Sequence, residues 1–219
     1  MADFVLYSYF RSSASYRVRI ALNLKGLAYE YKAVHLLNDG GEQHKPEYLA
    51  LNPARQVPTL VHGRHVIAQS MAILEYLDGV HPSPRLFPQD PYKKAQVIQF
   101  CENINCTQPL QNLATTQYLS SAFHATEGQK QAWIHFWLGR GFEATEKMLE
   151  KNAGTYCCGG EVTAADCFLV PQVFAARRFN VDLTPYPNVL RVHAALEELA
   201  AFEKAHPTRQ PDTPAEMRA

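Results

Sequence analysis

The order of elements in the N-terminal part narrows the fold more than any other feature of this chain. Residues 4–9 are a short apolar run that reads as a buried strand. Residues 13–25 follow with helical spacing of Val18, Ala21, Leu22 and Lys25, and of Ile20 and Leu24. Gly26 is placed to cap that helix. Residues 29–34 alternate as a second strand. A strand, a helix and a strand in such short compass predict a parallel pair joined by a crossover.

The pattern then changes. Asp39-Gly40-Gly41 marks a loop, and residues 46–51 suggest a short helix. Residues 59–61 and 65–68 are two short strands around the turn His62-Gly63-Arg64, which predicts a hairpin with His62 and His65 exposed. Ser70 is expected to cap a helix running through Ile73, Leu74 and Leu77 to Gly79. A connector rich in proline spans residues 81–91. Beyond it no strand is evident: residues 93–105, 129–152, 164–176 and 189–205 read as helices, and residues 207–214 as irregular. Thr163-Ala164-Ala165-Asp166 has the form of a capping box. The domain reading is therefore 1–82, a linker at 83–91, and an all-helical 92–219.

With 219 residues, 47% of them hydrophobic, the chain can bury a substantial core. Lys plus Arg and Asp plus Glu both number 21, so the net charge is zero. That balance excludes wholesale attraction to nucleic acid or an anionic membrane, and any taste for anions must be local. No apolar run reaches membrane-spanning length, and the start lacks the features of a secretory signal. The cytosol is the expected compartment. Five cysteines (Cys101, Cys106, Cys157, Cys158 and Cys167) are an odd set with no paired C-x-x-C spacing. They predict reduced thiols and no metal, with Cys157-Cys158 serving packing.

The chemistry concentrates at three junctions. Ser12, Ser13 and Ser15 lie where the first strand enters the first helix, a place that aims hydroxyls and unpaired N–H groups at an anion. One of them must cap the helix, and one can donate to a ligand thiolate. A free thiol titrates near a pKa of about 8.5, and each unit of lowering needs ~1.4 kcal/mol of preference for the anion. A hydroxyl and a helix N-terminus can supply one or two such units. No G-x-S-x-G elbow or triad marks a covalent nucleophile. Val57-Pro58 precedes a strand; a cis bond there would turn the Val57 backbone outward to pair with an extended peptide. Gln69-Ser70 offers either a plain N-cap or an N–H and a hydroxyl for a carboxylate. Arg17 and Arg19 read as solvated helix positions. Arg11 and Arg177-Arg178 read as surface residues or, beside a cleft, as carboxylate clamps.

The serine motif with Arg17-Val18-Arg19, Asn52-Pro53, Gln56-Val57-Pro58, Gln69-Ser70, Gln108-Pro109-Leu110-Gln111-Asn112-Leu113, Val181-Asp182-Leu183 and the tail Arg209-Gln210-Pro211-Asp212-Thr213-Pro214 together resemble the zeta class of glutathione transferases. The resemblance runs from the first strand to the tail. It implies α/β plus all-α architecture: a thioredoxin-like N-terminal domain followed by an all-helical glutathione-transferase C-terminal domain, as a homodimer. It implies glutathione as cofactor and reversible thiolate addition that isomerises maleylacetoacetate to fumarylacetoacetate in tyrosine and phenylalanine breakdown. The alternatives are maleylpyruvate as substrate, transfer of glutathione to α-haloacids, and a module that binds without catalysis.

By the same resemblance Ser12 and Ser13 are catalytic. Ser12, Ser13, Ser15, Arg17, Gln43, Val57, Pro58, Gln69, Ser70, Gln108 and Asn112 bind glutathione. Gln69 and Ser70 take its γ-glutamyl carboxylate, Val57-Pro58 its cysteinyl backbone and Gln43 its glycyl end. Arg178 and Arg11 hold the substrate. The class motif Ser-Ser-Cys-Ser-Trp reads Ser-Ser-Ala-Ser-Tyr here, so Ala14 removes a thiol and Tyr16 replaces an indole. Residues 120–128 are longer than usual for the class.

Overall fold

A computed structural model describes residues 3–218. It divides into two compact units, Met1–Phe87 with Glu197–Ala219, and Pro88–Leu196.

The first unit opens with β1 (Phe4–Ser8), α1 (Ser13–Leu24) and β2 (Tyr29–Ala33). β1 and β2 are parallel, with Leu6 opposite Tyr31, as the crossover requires. After the short α2 (Pro46–Leu49) come β3 (Thr59–His62) and β4 (His65–Ala68), an antiparallel hairpin. β3 pairs with β1, placing Leu60 beside Leu6, and the sheet order is β2-β1-β3-β4. α3 (Ser70–Val80) packs against α1. Burial alternates along β1, with Phe4, Leu6 and Ser8 inside. Leu6, Val18, Ile20, Leu22, Leu60, Ile73, Leu74 and Leu77 are fully buried and form the core of this unit.

The C-terminal segment belongs to this unit too. α9 (Ala200–Ala205) packs on α1. The composition predicts one helical domain over 92–219; Glu197–Ala219 groups with the first unit instead. Its anchor is Arg19. Far from solvated, Arg19 is fully buried, and its guanidinium donates to the carbonyls of Ala205 at 3.0 Å and Phe10 at 3.0 Å. Arg17 is likewise fully buried. Periodicity cannot reveal this, because a buried arginine depends on carbonyls brought from distant sequence.

The second unit contains α4 (Pro91–Thr107), α5 (Leu113–Phe123), α6 (Glu127–Asn152), α7 (Ala164–Arg178) and α8 (Pro187–Glu197). α4 packs on both α6 and α7, around Val97, Phe100, Leu138, Phe142, Phe168 and Val173. The capping box at α7 is present: buried Asp166 accepts from the N–H groups of Thr163 at 2.7 Å and Cys157 at 2.8 Å. Two helices differ from expectation. α5 buries no residue, so it carries no apolar stripe for the sequence to show. The helix expected over 189–205 breaks at Leu199, which is extended, into α8 and α9. All five cysteines are free, and burial pushes the Cys158 thiol up to about 12 and holds Cys157 higher than an ordinary thiol. Both stay protonated, which suits packing.

Candidate active site

The serine loop leaves β1 and enters α1. Ser12 is the N-cap: its backbone is extended and its Oγ accepts the Ser15 N–H at 3.2 Å. That bond uses the oxygen as acceptor and leaves the hydroxyl proton without a partner among the described residues. Ser12 is half-buried, Ser13 is buried, and Ser15 is fully buried with its Oγ unpartnered among the described residues. Ser12 thus stands at the positive end of α1 with a donor to spare. Arg11 is half-buried and lies over the Phe10 ring at 5.9 Å.

The second junction is the turn before β3. The Val57-Pro58 bond is cis. No described residue bonds the Val57 N–H or C=O, so this peptide keeps both groups for an extended partner. Two residues that the sequence reading did not assign hold the turn. The Tyr48 hydroxyl and the Asn52 side-chain amide both donate to the Gln56 carbonyl, and Asn52 also reaches the Thr59 hydroxyl at 3.2 Å. The signal for Asn52 was Asn-Pro at a predicted helix end; nothing in spacing marked Tyr48.

The third junction is the start of α3. Gln69, not Ser70, occupies the cap position, with a positive φ of 71° and no side-chain capping bond. A residue other than glycine held there stores strain of about 1–3 kcal/mol, which is found where a ligand clamp is built. The uncapped first turn leaves its N–H groups for an anion. Ser70, expected as the cap, is the first helical residue, and its buried Oγ accepts from Arg17 Nη1 at 3.1 Å. Arg17 is thereby tied to the third junction through Ser70. Gln69 Nε2 donates to Gln56 Oε1 at 3.3 Å, which draws the second and third junctions together. Gln43 is buried; its Nε2 donates to the Leu36 carbonyl at 3.3 Å and its Oε1 has no partner among the described residues.

The remaining predicted residues lie in the second unit. Gln108 Nε2 donates to Asn112 Oδ1 at 3.2 Å in the turn between α4 and α5. Arg178 ends α7, is exposed, and stacks over the Phe179 ring at 4.3 Å. His62, expected to be exposed, is half-buried against Phe4 and bonds the Tyr76 hydroxyl at 2.7 Å. A cavity of about 370 Å³ lies among Tyr7, Lys32, Val34, Lys45, Tyr48 and Leu51; Tyr48 also holds the second junction, but none of Ser12, Ser13, Val57, Pro58, Gln69 or Ser70 lines it.

Known proteins resemble this chain over nearly its whole length. The family model for the glutathione S-transferase N-terminal domain matches residues 2–79, and that for the C-terminal domain matches residues 131–195. Maleylacetoacetate isomerase of Rattus norvegicus is 49% identical over 98% of this chain and 97% of its own length. A holo structure of maleyl pyruvate isomerase, a bacterial glutathione S-transferase in the zeta class, superposes with a TM-score of 0.92 at 45% identity, over 96% of this chain and all of its own. Maleylacetoacetate isomerase from Anaeromyxobacter dehalogenans, solved with bound glutathione in its active site, gives a TM-score of 0.86 at 46% identity over 96% of this chain and 98% of its own. With both domain models matched and near-half identity over almost its whole length, the chain belongs to the glutathione S-transferase family, in its zeta class.

Proposed function

We propose that this protein is a glutathione-dependent cis–trans isomerase that converts maleylacetoacetate to fumarylacetoacetate. The observation that carries the reading is the Ser12 hydroxyl, placed at the start of α1 with its proton uncommitted. The other junctions fit the tripeptide: an unpaired Val57 peptide for its cysteinyl backbone, the uncapped start of α3 with Ser70 for its γ-glutamyl carboxylate, and Gln43, whose side-chain Nε2 is a donor, for its glycyl end.

Glutathione held there would supply a thiolate for reversible conjugate addition, in which the alkene's π pair moves onto the conjugated carbonyl oxygen, the remaining single bond can rotate, and return of the pair expels the thiolate unchanged. Ser12 donates its hydroxyl proton in a hydrogen bond to the sulfur and, with the α1 N-terminus, favours the anion. Ser13 completes the first turn beside it. The Val57 peptide and the α3 start fix the tripeptide so that the reacting sulfur arrives oriented. Gln108 and Asn112 are assigned to glutathione by the family resemblance. Arg178 is assigned to one substrate carboxylate and Arg11 to its other end, while leaving the rotating bond unclamped. None of these steps uses a protein thiol, so Ala14 does not impair them.

Maleylpyruvate is the second reading: an isomerase of that name is 45% identical to this chain, and a maleylacetoacetate isomerase superposes equally well. The cytosol is the proposed compartment, in keeping with five free cysteines. A homodimer is proposed from family membership, and sedimentation at micromolar concentration tests it. The deciding assay follows loss of the cis-diacid's ultraviolet absorbance with catalytic glutathione, on both diacids. Ser12→Ala is expected to lose most turnover while still binding glutathione. Near-normal turnover in that variant removes Ser12 from the role, and no turnover of either diacid by the wild type overturns the reading.

A further inference from the structure

The loop that presents Ser12 is held from behind by the far end of the chain. The Phe10 N–H donates to Asp212 Oδ2 at 2.9 Å, and the other carboxylate oxygen of Asp212 accepts the Tyr31 hydroxyl at 2.6 Å. On the other side, Arg19 donates to the Phe10 carbonyl at 3.0 Å and to the Tyr9 carbonyl at 3.4 Å. The Tyr9 carbonyl also accepts the Ser12 N–H at 3.0 Å. Phe10 is thus gripped at both its amide and its carbonyl, one hydrogen bond from the catalytic serine's own backbone.

Asp212 is itself set firmly. The next residue, Thr213, is buried, and its hydroxyl donates to the Pro207 carbonyl, while the Gln210 amide donates to the carbonyls of Lys204 at 3.0 Å and His206 at 2.8 Å. The Asp212 carboxylate also lies where its charge favours the guanidinium form of buried Arg19. Burial holds Tyr31 above the ordinary tyrosine value, so it remains a donor to Asp212.

We propose that Asp212 is a positioning residue for catalysis: by bonding the Phe10 N–H and Tyr31 it makes the C-terminal segment the brace that aims Ser12 at the thiol. This rests on the assignment of Ser12 to the thiolate. The brace is made of Asp212, Phe10, Tyr31 and Arg19, none of them among the residues assigned to glutathione or substrate. Its loss therefore blurs the serine's aim without removing the Val57, Gln69 and Ser70 contacts that bind the tripeptide.

The test uses the full chain with Asp212→Ala, Asp212→Asn, Tyr31→Phe and, as reference, Ser12→Ala. Three readouts are taken on the folded fraction: amide exchange of residues 9–15 without ligand, the pH profile of thiolate absorbance from bound glutathione, and kcat against KM. For Asp212→Ala we expect faster exchange, a thiol pKa higher by about one unit, and kcat about tenfold lower. The KM for glutathione should stay within about threefold. Asp212→Asn, which keeps an acceptor for one donor, should recover part of kcat, and Tyr31→Phe should lose less than Asp212→Ala. If Asp212→Ala does not fold, Asp212→Asn and Tyr31→Phe decide by the same shifts in reduced size. If Ser12→Ala moves the thiol profile and no brace variant does, this inference alone is overturned. If Ser12→Ala leaves that profile at its wild-type position, the serine assignment falls and this inference with it.

Discussion

Arg17 Nη1 and Ser70 Oγ meet at 3.1 Å in the interior, joining two helices that start at separate corners of the candidate site. The serine loop opens α1 and the Gln69-Ser70 step opens α3, so this buried hydrogen bond ties together the corner proposed for the thiol and the corner proposed for the γ-glutamyl carboxylate. Neither residue needs to touch both ends of the ligand for the spacing to hold.

Replacing Arg17 with Ala should therefore weaken glutathione binding more than turnover. Loss of a buried bond to a charged group costs about 1.5–3 kcal/mol, part of it in stability and part in a misplaced Ser70. Titration calorimetry should show the Kd for glutathione raised by about fivefold or more, with kcat at saturating ligand within about threefold. An unchanged Kd would make the contact purely structural.

Much of the site could be read from the sequence because its signals are local. A cap from among Ser12, Ser13 and Ser15, the turn at Val57-Pro58 and a helix start at Gln69-Ser70 each depend on a few neighbouring residues; the structure makes Ser12 that cap and puts Gln69, not Ser70, at the cap of α3. What was missed depends on partners far along the chain. Arg19 and Arg17 looked solvated because their acceptors, Ala205 and Ser70, are 186 and 53 residues away. The tail looked like an appendage of the helical half because nothing local shows that Asp212 bonds Phe10. α5 escaped because a helix without a buried face has no period to detect.

Gly41 should prove intolerant for a reason that bears on ligand binding. Its φ is +99°, and a Cβ there would stand 2.4 Å from Gln43 Nε2 and 2.6 Å from Gln43 Oε1. Gly41→Ala is expected to displace the Gln43 amide and to strain the backbone by about 1–3 kcal/mol. The kinetic signature is a raised KM for glutathione with kcat nearly retained. Wild-type KM in a folded Gly41→Ala protein would detach Gln43 from the glycyl end.

Arg178→Ala should raise KM for the diacid and spare the KM for glutathione. The side chain is exposed and rests on Phe179, so its removal leaves no buried cavity and little change in melting temperature. Steady-state kinetics with each substrate varied in turn separates the two effects. Equal KM values for wild type and variant would return Arg178 to the role of a surface residue.

Lys25 and Asp78 should behave as a buried pair whose halves cannot be removed singly. Lys25 Nζ bonds Asp78 Oδ1 at 2.8 Å and the carbonyls of His81 and Pro84 at 2.7 Å each. Asp78 also accepts the N–H groups of Leu86 at 2.7 Å and Phe87 at 3.3 Å, so the pair ties α1 and α3 to the proline-rich connector. Asp78→Ala strands a buried cation and is expected to cost about 3–5 kcal/mol in urea unfolding. The double change Lys25→Met with Asp78→Leu should recover part of that loss. A double variant no better than the single one would show that the connector's hydrogen bonds, rather than the stranded charge, dominate.

Acid should loosen the C-terminal segment first, through His206. Its Nδ1 accepts the Thr208 N–H at 3.3 Å and its ring meets Tyr16 edge-on at 6.1 Å. Burial, then the charges of Arg19 and Arg209, hold its pKa below 6.5. The unfolded chain binds that proton more readily than the native state. Stability is therefore lost as the pH falls below the ordinary histidine value and does not change on this account above it. Melting temperatures followed from about pH 7.5 down to about pH 5 should fall more steeply for the wild type than for His206→Gln, which keeps an acceptor but cannot take the charge. Amide exchange of residues 200–213 should rise over the same interval in the wild type. Parallel melting curves for the two proteins would place the acid-sensitive group elsewhere.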